Sequence, residues 1–181
     1  MDGKKVYPLQ SKSFQNGFTL LEYLILLFFF SVFIFLLLYI FNPFEQMQIY
    51  RDSTRKADLA KLQIALEQYY YDNRRYPNSS INPNYRIIRP DATVAEWGQR
   101  WQLPYMKILP KDPSFPKQTY IYYASMNGQS YYLYANLERG SLSSKTCNIE
   151  GPCLSLWKNK ILFDACGGIC NYAVTSPNVS P

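Results

Sequence analysis

The feature that most constrains this chain is a long apolar run near its N-terminus. Residues 18–41 contain only three clearly polar side chains, those of Thr19, Glu22 and Ser31. As an α-helix this run is roughly 36 Å long, which is enough to cross the hydrocarbon core of a bilayer. A secretory signal peptide has a shorter apolar core of about 7 to 15 residues and ends at small residues. The sequence therefore predicts one membrane-spanning helix.

Composition argues against an enzyme. The 181 residues suffice for one folded domain beside the membrane segment, and none of them is histidine. This absence excludes Ser-His-Asp and Cys-His nucleophiles and the zinc sites that use His. Gly167 and Gly168 lack the Lys and Ser or Thr that follow a phosphate-binding loop, so we interpret them as a turn. We predict no catalytic residue and no cofactor.

A short motif precedes the apolar helix. Residues 17–22 read Gly-Phe-Thr-Leu-Leu-Glu and follow a polar leader with basic residues. A carboxylate such as that of Glu22 costs about 2.5 to 3.5 kcal/mol at mid-membrane depth, unless it snorkels to the interface, so it requires a reason. The arrangement resembles type IV pilins and type II secretion pseudopilins. In that family the resemblance implies that a prepilin peptidase removes residues 1–17 by cutting after Gly17 and methylates the new amino group of Phe18.

The resemblance also implies how subunits assemble. Residues 18–41 form the transmembrane and filament-core helix, and Glu22 becomes the fifth residue of the mature chain. Its carboxylate is neutralised by the amine of Phe18 on a neighbouring subunit, which sets the axial register. Many members have Gly and Pro within the apolar half, whereas this chain has neither there, and its nearest proline is Pro43. We expect Pro43 to bend the helix or to hold Asn42 in an extended conformation.

An amphipathic stalk follows. Residues 42–76 place Leu59, Leu62 and Leu66 at three- and four-residue steps, with charged side chains between them. Acid-first pairs such as Asp52 with Arg55 are typical of a solvated helix face, and we interpret most of them so. Proline at position 77 ends the helix.

The remainder, residues 77–181, predicts a globular head. Residues 78–100 indicate a connecting loop with a short helix around 92–100. Two strands, 119–125 and 130–137, flank Asn127-Gly128, a strong hairpin signal. Leu133 and Ala135 face one side of the hairpin and Tyr132 and Tyr134 the other, with one side packed on the stalk.

A Leu-Pro-Lys-Asp-Pro turn at 109–113 and Leu-Glu at 137–138 are also similar to the pilin and pseudopilin pattern. The predicted fold is α+β and pilin-like: a long N-terminal helix on a small antiparallel sheet, with a disulfide-bearing C-terminal region.

Four cysteines follow residue 140: Cys147, Cys153, Cys166 and Cys170. Their number and clustering favour two disulfides of unspecified pairing, although zinc binding and four reduced thiols stay open. If the cysteines form disulfides, the compartment is oxidising and the head lies outside the cytoplasm. The basic residues on both sides of the membrane helix do not decide its orientation.

A cation site receives little support from the sequence. Asp112, Glu150 and Asp164 are the acids available for calcium, but their spacing forms no recognisable loop, and we predict no metal site.

Three functional hypotheses follow. The first is a structural subunit of a type IV pilus-like homo-oligomeric filament that serves surface attachment, motility or DNA uptake, with a secretion pseudopilin as the alternative. Its partners are the prepilin peptidase and a membrane assembly platform. The precursor lies in the cell membrane with its head outside the cytoplasm, and the filament is at the cell surface or in the periplasm. The second is a minor pilin that binds DNA or surfaces through Arg74, Arg75, Arg86 and Arg89. The third is an anchored enzyme, for which the sequence offers no catalytic constellation.

Overall fold

The computed structural model describes residues 19–81, 84–139, 147 and 151–181. The predicted leader, residues 1–17 including Gly17, and Phe18 lie outside the described residues, as does Glu150. The chain divides into two compact units, Met1–Pro43 and Phe44–Pro181. The first contains one described helix, and the second contains the stalk and the head.

The first helix, α1, spans Leu20–Phe41 and begins after Thr19, an extended N-cap residue. It ends at Asn42, whose backbone N–H donates to the carbonyl of Leu38 and whose φ of 38° is left-handed. Of the two alternatives expected at Pro43, an extended Asn42 is therefore wrong, and the helix is instead interrupted at this residue. Asparagine tolerates the left-handed conformation better than most residues and here it ends the helix.

The second helix, α2, spans Pro43–Asn73. Proline suits this first position because its fixed φ fits a helix and its missing N–H has no partner there anyway. The helix ends three residues before the predicted boundary, at a left-handed Arg74 with φ of 57°.

The connecting region contains two small hairpins. Strands β1 (Ile87–Ile88) and β2 (Val94–Ala95) pair antiparallel, as do β3 (Arg100–Gln102) and β4 (Met106–Ile108). The short helix expected around 92–100 is thus wrong. Ala92 and Gly98 have positive φ values of 64° and 86°, which a helix does not allow.

The main sheet has three antiparallel strands in the order β5 (Ile121–Ala124), β6 (Tyr131–Ala135) and β7 (Tyr172–Thr175). The turn between β5 and β6 contains Asn127-Gly128, as predicted, and Gly128 has a φ of 66°. The third strand was not predicted. A short helix, α3 (Leu154–Lys158), lies between β6 and β7 in the chain.

Both faces of this sheet are buried. On one face Leu133 and Tyr131 pack in the same core as Leu62 and Leu66 of α2, which confirms the predicted contact with the stalk. On the opposite face Tyr134 packs in a second core. That core is completed by residues of the C-terminal segment, namely Cys153, Leu156, Ile161, Cys166 and Cys170.

Two disulfides staple the C-terminal segment, Cys147–Cys153 and Cys166–Cys170. The alternatives of zinc binding and of four reduced thiols are therefore wrong. The second bridge lies against the head because the carbonyl of Cys166 accepts the N–H of Thr119 at 3.0 Å. Gly167 permits this approach: it has a φ of +78°, and a Cβ there would lie 2.1 Å from the carbonyl oxygen of Lys117.

Candidate assembly helix and stalk charge cluster

The surface of α1 is apolar on every side. None of its residues is buried, and exposed side chains such as Phe28, Phe33 and Leu36 lie around its whole circumference. Such a helix is stable in a bilayer or among partner helices, where its apolar surface leaves water. Among the described residues it is the one helical stretch with the length and apolar composition needed to cross a membrane.

Glu22 closes a capping box at the start of α1. Its carboxylate accepts hydrogen bonds from the backbone N–H of Thr19 at 2.9 Å and from the Thr19 hydroxyl at 3.0 Å. The hydroxyl in turn accepts the N–H of Glu22 at 3.3 Å. The Thr-x-x-Glu spacing at residues 19–22 is the sequence signature of this motif and was the signal that could have predicted it. The predicted contact between Glu22 and Phe18 of a neighbour stays a prediction, because Phe18 is outside the described residues.

In the second unit, charged side chains from three separate segments meet at α2. We call Arg51, Asp52, Arg55, Asp112 and Glu138 the stalk charge cluster. Arg55 is its centre and is fully buried.

The guanidinium of Arg55 uses all its nitrogens. Its Nε and Nη2 donate to the two carboxylate oxygens of Asp112 at 2.9 and 3.2 Å. Its Nη1 donates to Asp52 at 2.8 Å and to Glu138 at 2.9 Å. The hydroxyl of Ser114 accepts a further bond from Nη2 at 3.0 Å. The paired donation to Asp112 has the bidentate geometry that makes arginine–carboxylate pairs strong and directional.

The carboxylates of the cluster are satisfied as well. Asp52 accepts the backbone N–H groups of Glu138 and Arg139 at 2.9 and 2.8 Å. Glu138 also pairs with Arg51. The cluster thereby ties α2 to the 109–113 turn and to the chain leaving β6. A buried pair stays favourable when its hydrogen bonds are complete in this way.

The interpretation of these charges as a solvated helix face is therefore wrong for Asp52, Arg55 and Asp58. Asp58 is also buried, and it accepts a hydrogen bond from the Tyr120 hydroxyl at 3.0 Å. Periodicity along α2 did not reveal this because the partners are distant in sequence. The two family-like motifs at 109–113 and 137–138 were the available signal, and both converge on Arg55.

The two described acids that were considered for calcium, Asp112 and Asp164, do not form a metal site with other described residues. Asp112 is turned toward Arg55, and Asp164 is exposed. In the part of the chain that the structure describes, no three His, Cys, Asp or Glu side chains are grouped so as to hold a metal ion.

The cluster shifts the acid–base behaviour of its members. Hydrogen bonds from Arg51 and Arg55 outweigh partial burial and lower the pKa of Glu138 from its usual 4.5 to about 2. Burial opposes the charge of Arg55, but its bonds to Asp112 and Glu138 prevail and raise its pKa. Asp58 shifts the other way, since burial raises its pKa despite the bond from Tyr120.

A dependence of stability on pH follows from Glu138. Because the folded-state pKa lies below the usual one, its stabilising contribution is complete above pH 4.5 and is lost as the pH falls toward 2. The variant Glu138→Gln should be less stable than the wild type at neutral pH, and this difference should shrink over that window. Urea unfolding of the two proteins at a series of pH values measures the difference in their free energies of unfolding and its change with pH.

Asp58→Asn is the matched control for that titration. The raised pKa of Asp58 gives the opposite sign: on acidification the wild type should gain stability relative to Asp58→Asn, whereas it should lose stability relative to Glu138→Gln. A difference between Glu138→Gln and the wild type that stays constant from pH 7 to pH 2 would contradict the assignment.

The four arginines considered for DNA contact do not form one surface. Arg86 is buried, and its guanidinium donates to the carboxylate of Glu96 and to the carbonyl of Tyr120, so it is unavailable for a surface contact. Arg75 and Arg89 line a common cleft of about 250 Å³ at the end of α2. Arg74 is exposed and lies 5.6 Å from the centre of the Tyr71 ring. A nucleic-acid contact stays a prediction for Arg74, Arg75 and Arg89.

Comparison with known protein families decides between the functional classes considered for this chain, a filament subunit and an enzyme. Residues 43–143, more than half of the chain, match the family model described as type II secretion system (T2SS), protein G. The chain belongs to this family. Searches of curated proteins and of solved structures returned no significant match. The matched T2SS protein G region contains α2, strands β1 to β6 and the whole stalk charge cluster.

Membership of the T2SS protein G family answers two of the questions raised by the sequence. The family consists of pseudopilins, which are structural and not enzymatic, so the hypothesis of an anchored enzyme is wrong. The chain is a pilin-like structural protein of the secretion branch, and the pilus interpretation is less well supported than its alternative. The segment from Cys147 onward lies beyond the match.

Proposed function

We propose that this chain is a subunit of the pseudopilus of a type II secretion system. The observation that carries the proposal is the match of residues 43–143 to the T2SS protein G family. Two features support it: an apolar helix in front of the matched region with no residue buried by the described part of the chain, and a head cross-linked by disulfides. The disulfides indicate an oxidising compartment and therefore favour a head on the periplasmic side of the inner membrane.

The N-terminal helix is the assembly element. A prepilin peptidase cuts after Gly17 and methylates Phe18, and α1 then passes from the bilayer into the filament core. Removal of its apolar surface from lipid into a helix bundle is possible because no α1 residue is buried among the described residues. The secretion assembly platform and further copies of the chain are its partners.

Glu22 sets the register between neighbouring copies. Its capping box holds the carboxylate in the first turn of α1, next to the backbone of the second residue of the mature chain. A cationic Phe18 amine of a neighbour meets that carboxylate, which turns an isolated charge in an apolar core into an ion pair.

The stalk charge cluster has a mechanical role in this filament. Arg55 joins α2 to the 109–113 turn and to Glu138 at the end of the sheet, so the head is fixed to the stalk through buried bonds. Movement of α2 during filament growth therefore carries the head with it as one body.

Replacement of Glu22 tests this proposal in cells. Loss of one partner of a buried ion pair costs about 3 to 5 kcal/mol, which is at least a hundred-fold in an assembly constant. Glu22→Ala should therefore abolish both filament formation and export of the system's substrate proteins. The measurement is the amount of exported protein in the medium, together with cross-linked pseudopilus in membrane fractions.

Ser31→Ala is the matched control, since Ser31 lies on α1 and its hydroxyl bonds the carbonyl of Phe28 in its own helix. It should assemble and secrete normally. Normal secretion by Glu22→Ala would contradict the proposed register. Loss of surface pili with intact secretion on deletion of the whole chain would favour the pilus alternative.

A further inference from the structure

The C-terminal segment beyond the family match exposes large apolar side chains. Five of them lie within residues 154–169: Leu154 at 68%, Trp157 at 70%, Leu162 at 63%, Phe163 at 48% and Ile169 at 46% exposure. We call these the C-terminal apolar residues. Exposed apolar groups of this size generally mark contact with a protein or a membrane.

The backbone holds these residues in place. Leu154 and Trp157 are three positions apart on α3 and therefore lie on one side of it. The carbonyl of Phe163 accepts the N–H of Cys170 at 2.8 Å, which brings Phe163 beside the Cys166–Cys170 bridge and Ile169. The apolar side chains are therefore presented by a stapled segment, while Leu156 and the bridged cysteines fill the core behind it.

Lysines accompany the apolar residues. Lys158 and Lys160 are exposed within the same segment, and the backbone of Lys117 lies against Gly167. None of the three forms a salt bridge with another described residue, and Asp164 is the one exposed acid within residues 154–169. The segment has no arginine, and its tyrosine, Tyr172, is buried.

This composition discriminates between two kinds of partner. Lysine is depleted from the cores of protein–protein interfaces, whereas Arg is enriched there together with aromatic residues, including Trp and Phe. Trp, Phe and Leu beside Lys are typical of a surface that lies at a lipid headgroup layer, where the lysine stems snorkel and the ammonium groups attract anionic lipid. A second copy that packed through the same surface would bring its own Lys158 and Lys160 against these lysines, so it offers poor electrostatic complementarity there.

We propose that the C-terminal apolar residues, with Lys158 and Lys160, bind an anionic membrane surface. The occupant is the phosphate headgroup layer of an anionic phospholipid bilayer, into which Trp157 and Leu154 insert. The contact holds the head against the membrane. It is independent of the proposed secretion role, because it depends on residues outside the family match.

Tryptophan emission of the full chain tests this inference. The chain has three tryptophans, of which Trp97 and Trp101 are buried and Trp157 is exposed, and α1 contains none. Anchoring by α1 therefore does not itself bring a tryptophan into lipid. The full chain is reconstituted in bilayers whose acyl chains carry bromine as a contact quencher, either zwitterionic or containing phosphatidylglycerol.

In phosphatidylglycerol bilayers the total emission should fall by about one third, because one tryptophan of three reaches the acyl chains. Trp157→Phe should abolish the quenching without changing the fold. Lys158→Glu combined with Lys160→Glu should reduce it at least about two-fold, since each lysine near an anionic surface adds attraction. Circular dichroism of each variant in detergent verifies that the head is folded.

Three results would overturn the inference. The first is no quenching in either bilayer. The second is equal quenching in zwitterionic and anionic bilayers. The third is a shift of Trp157 emission that depends on the ratio of protein to lipid, which would indicate contact with a second copy instead.

Discussion

Arg55→Met should destabilise the stalk and head by about 3 to 5 kcal/mol, because it leaves the carboxylates of Asp112, Asp52 and Glu138 without their shared cation. Methionine keeps much of the length and apolar character of the side chain, so the loss reports the missing ion pairs rather than a cavity. The measurement is urea unfolding of the full chain in detergent, followed by tryptophan emission.

Lys61→Met is the matched control for this substitution. Lys61 lies on the same helix, but its side chain is 68% exposed and its pair with Asp58 is long, at 3.8 Å. Exposed pairs contribute about 0 to 1 kcal/mol, so this variant should stay close to the wild type. Equal unfolding free energies for Arg55→Met and Lys61→Met would show that the stalk charge cluster does not hold the head to α2.

Removal of both disulfides should have the second largest effect. The bridges close short loops, with sequence separations of 6 and 4, and each should contribute about 2 kcal/mol by restricting the unfolded chain. The variant in which all four cysteines are serine should therefore lose about 4 kcal/mol, with a matching rise in protease cleavage after residue 147. Urea unfolding under oxidising conditions measures the loss.

Two partial variants separate the bridges. Cys166→Ser with Cys170→Ser should lose more than Cys147→Ser with Cys153→Ser. Cys166 and Cys170 are both fully buried in the second core, and the first of them is bonded to Thr119, whereas Cys147 is partly exposed. An oxidised wild type no more stable than the chain treated with reductant would contradict the assigned role.

The parts of the fold that could be predicted from the sequence are those specified locally. Apolar length predicts α1, apolar spacing predicts α2, and Asn127-Gly128 predicts the hairpin of β5 and β6. Local conformation also explains the failures: the predicted geometry of Asn42 took account of the following proline but not of the ability of asparagine to end a helix in the left-handed region.

The parts that could not be predicted depend on contacts between distant residues. Arg55 and Asp112 are 57 positions apart, and Arg55 and Glu138 are 83 apart, so no local pattern identifies them as partners. Strand β7 was missed for a similar reason. Its residues 172–175 show no alternation of apolar and polar side chains. One side of the strand packs in the core shared with α2, and the other packs in the second core with the buried cysteines.

The central claim is that this chain is processed and assembled as a pseudopilin, and its N-terminus tests that claim most directly. The measurement is intact mass and N-terminal sequencing of the chain recovered from membranes and from cross-linked filaments of its own cells. The account predicts a mature chain that begins with N-methylated Phe18. A chain that still begins at Met1, or one cut at any bond other than that after Gly17, would contradict it.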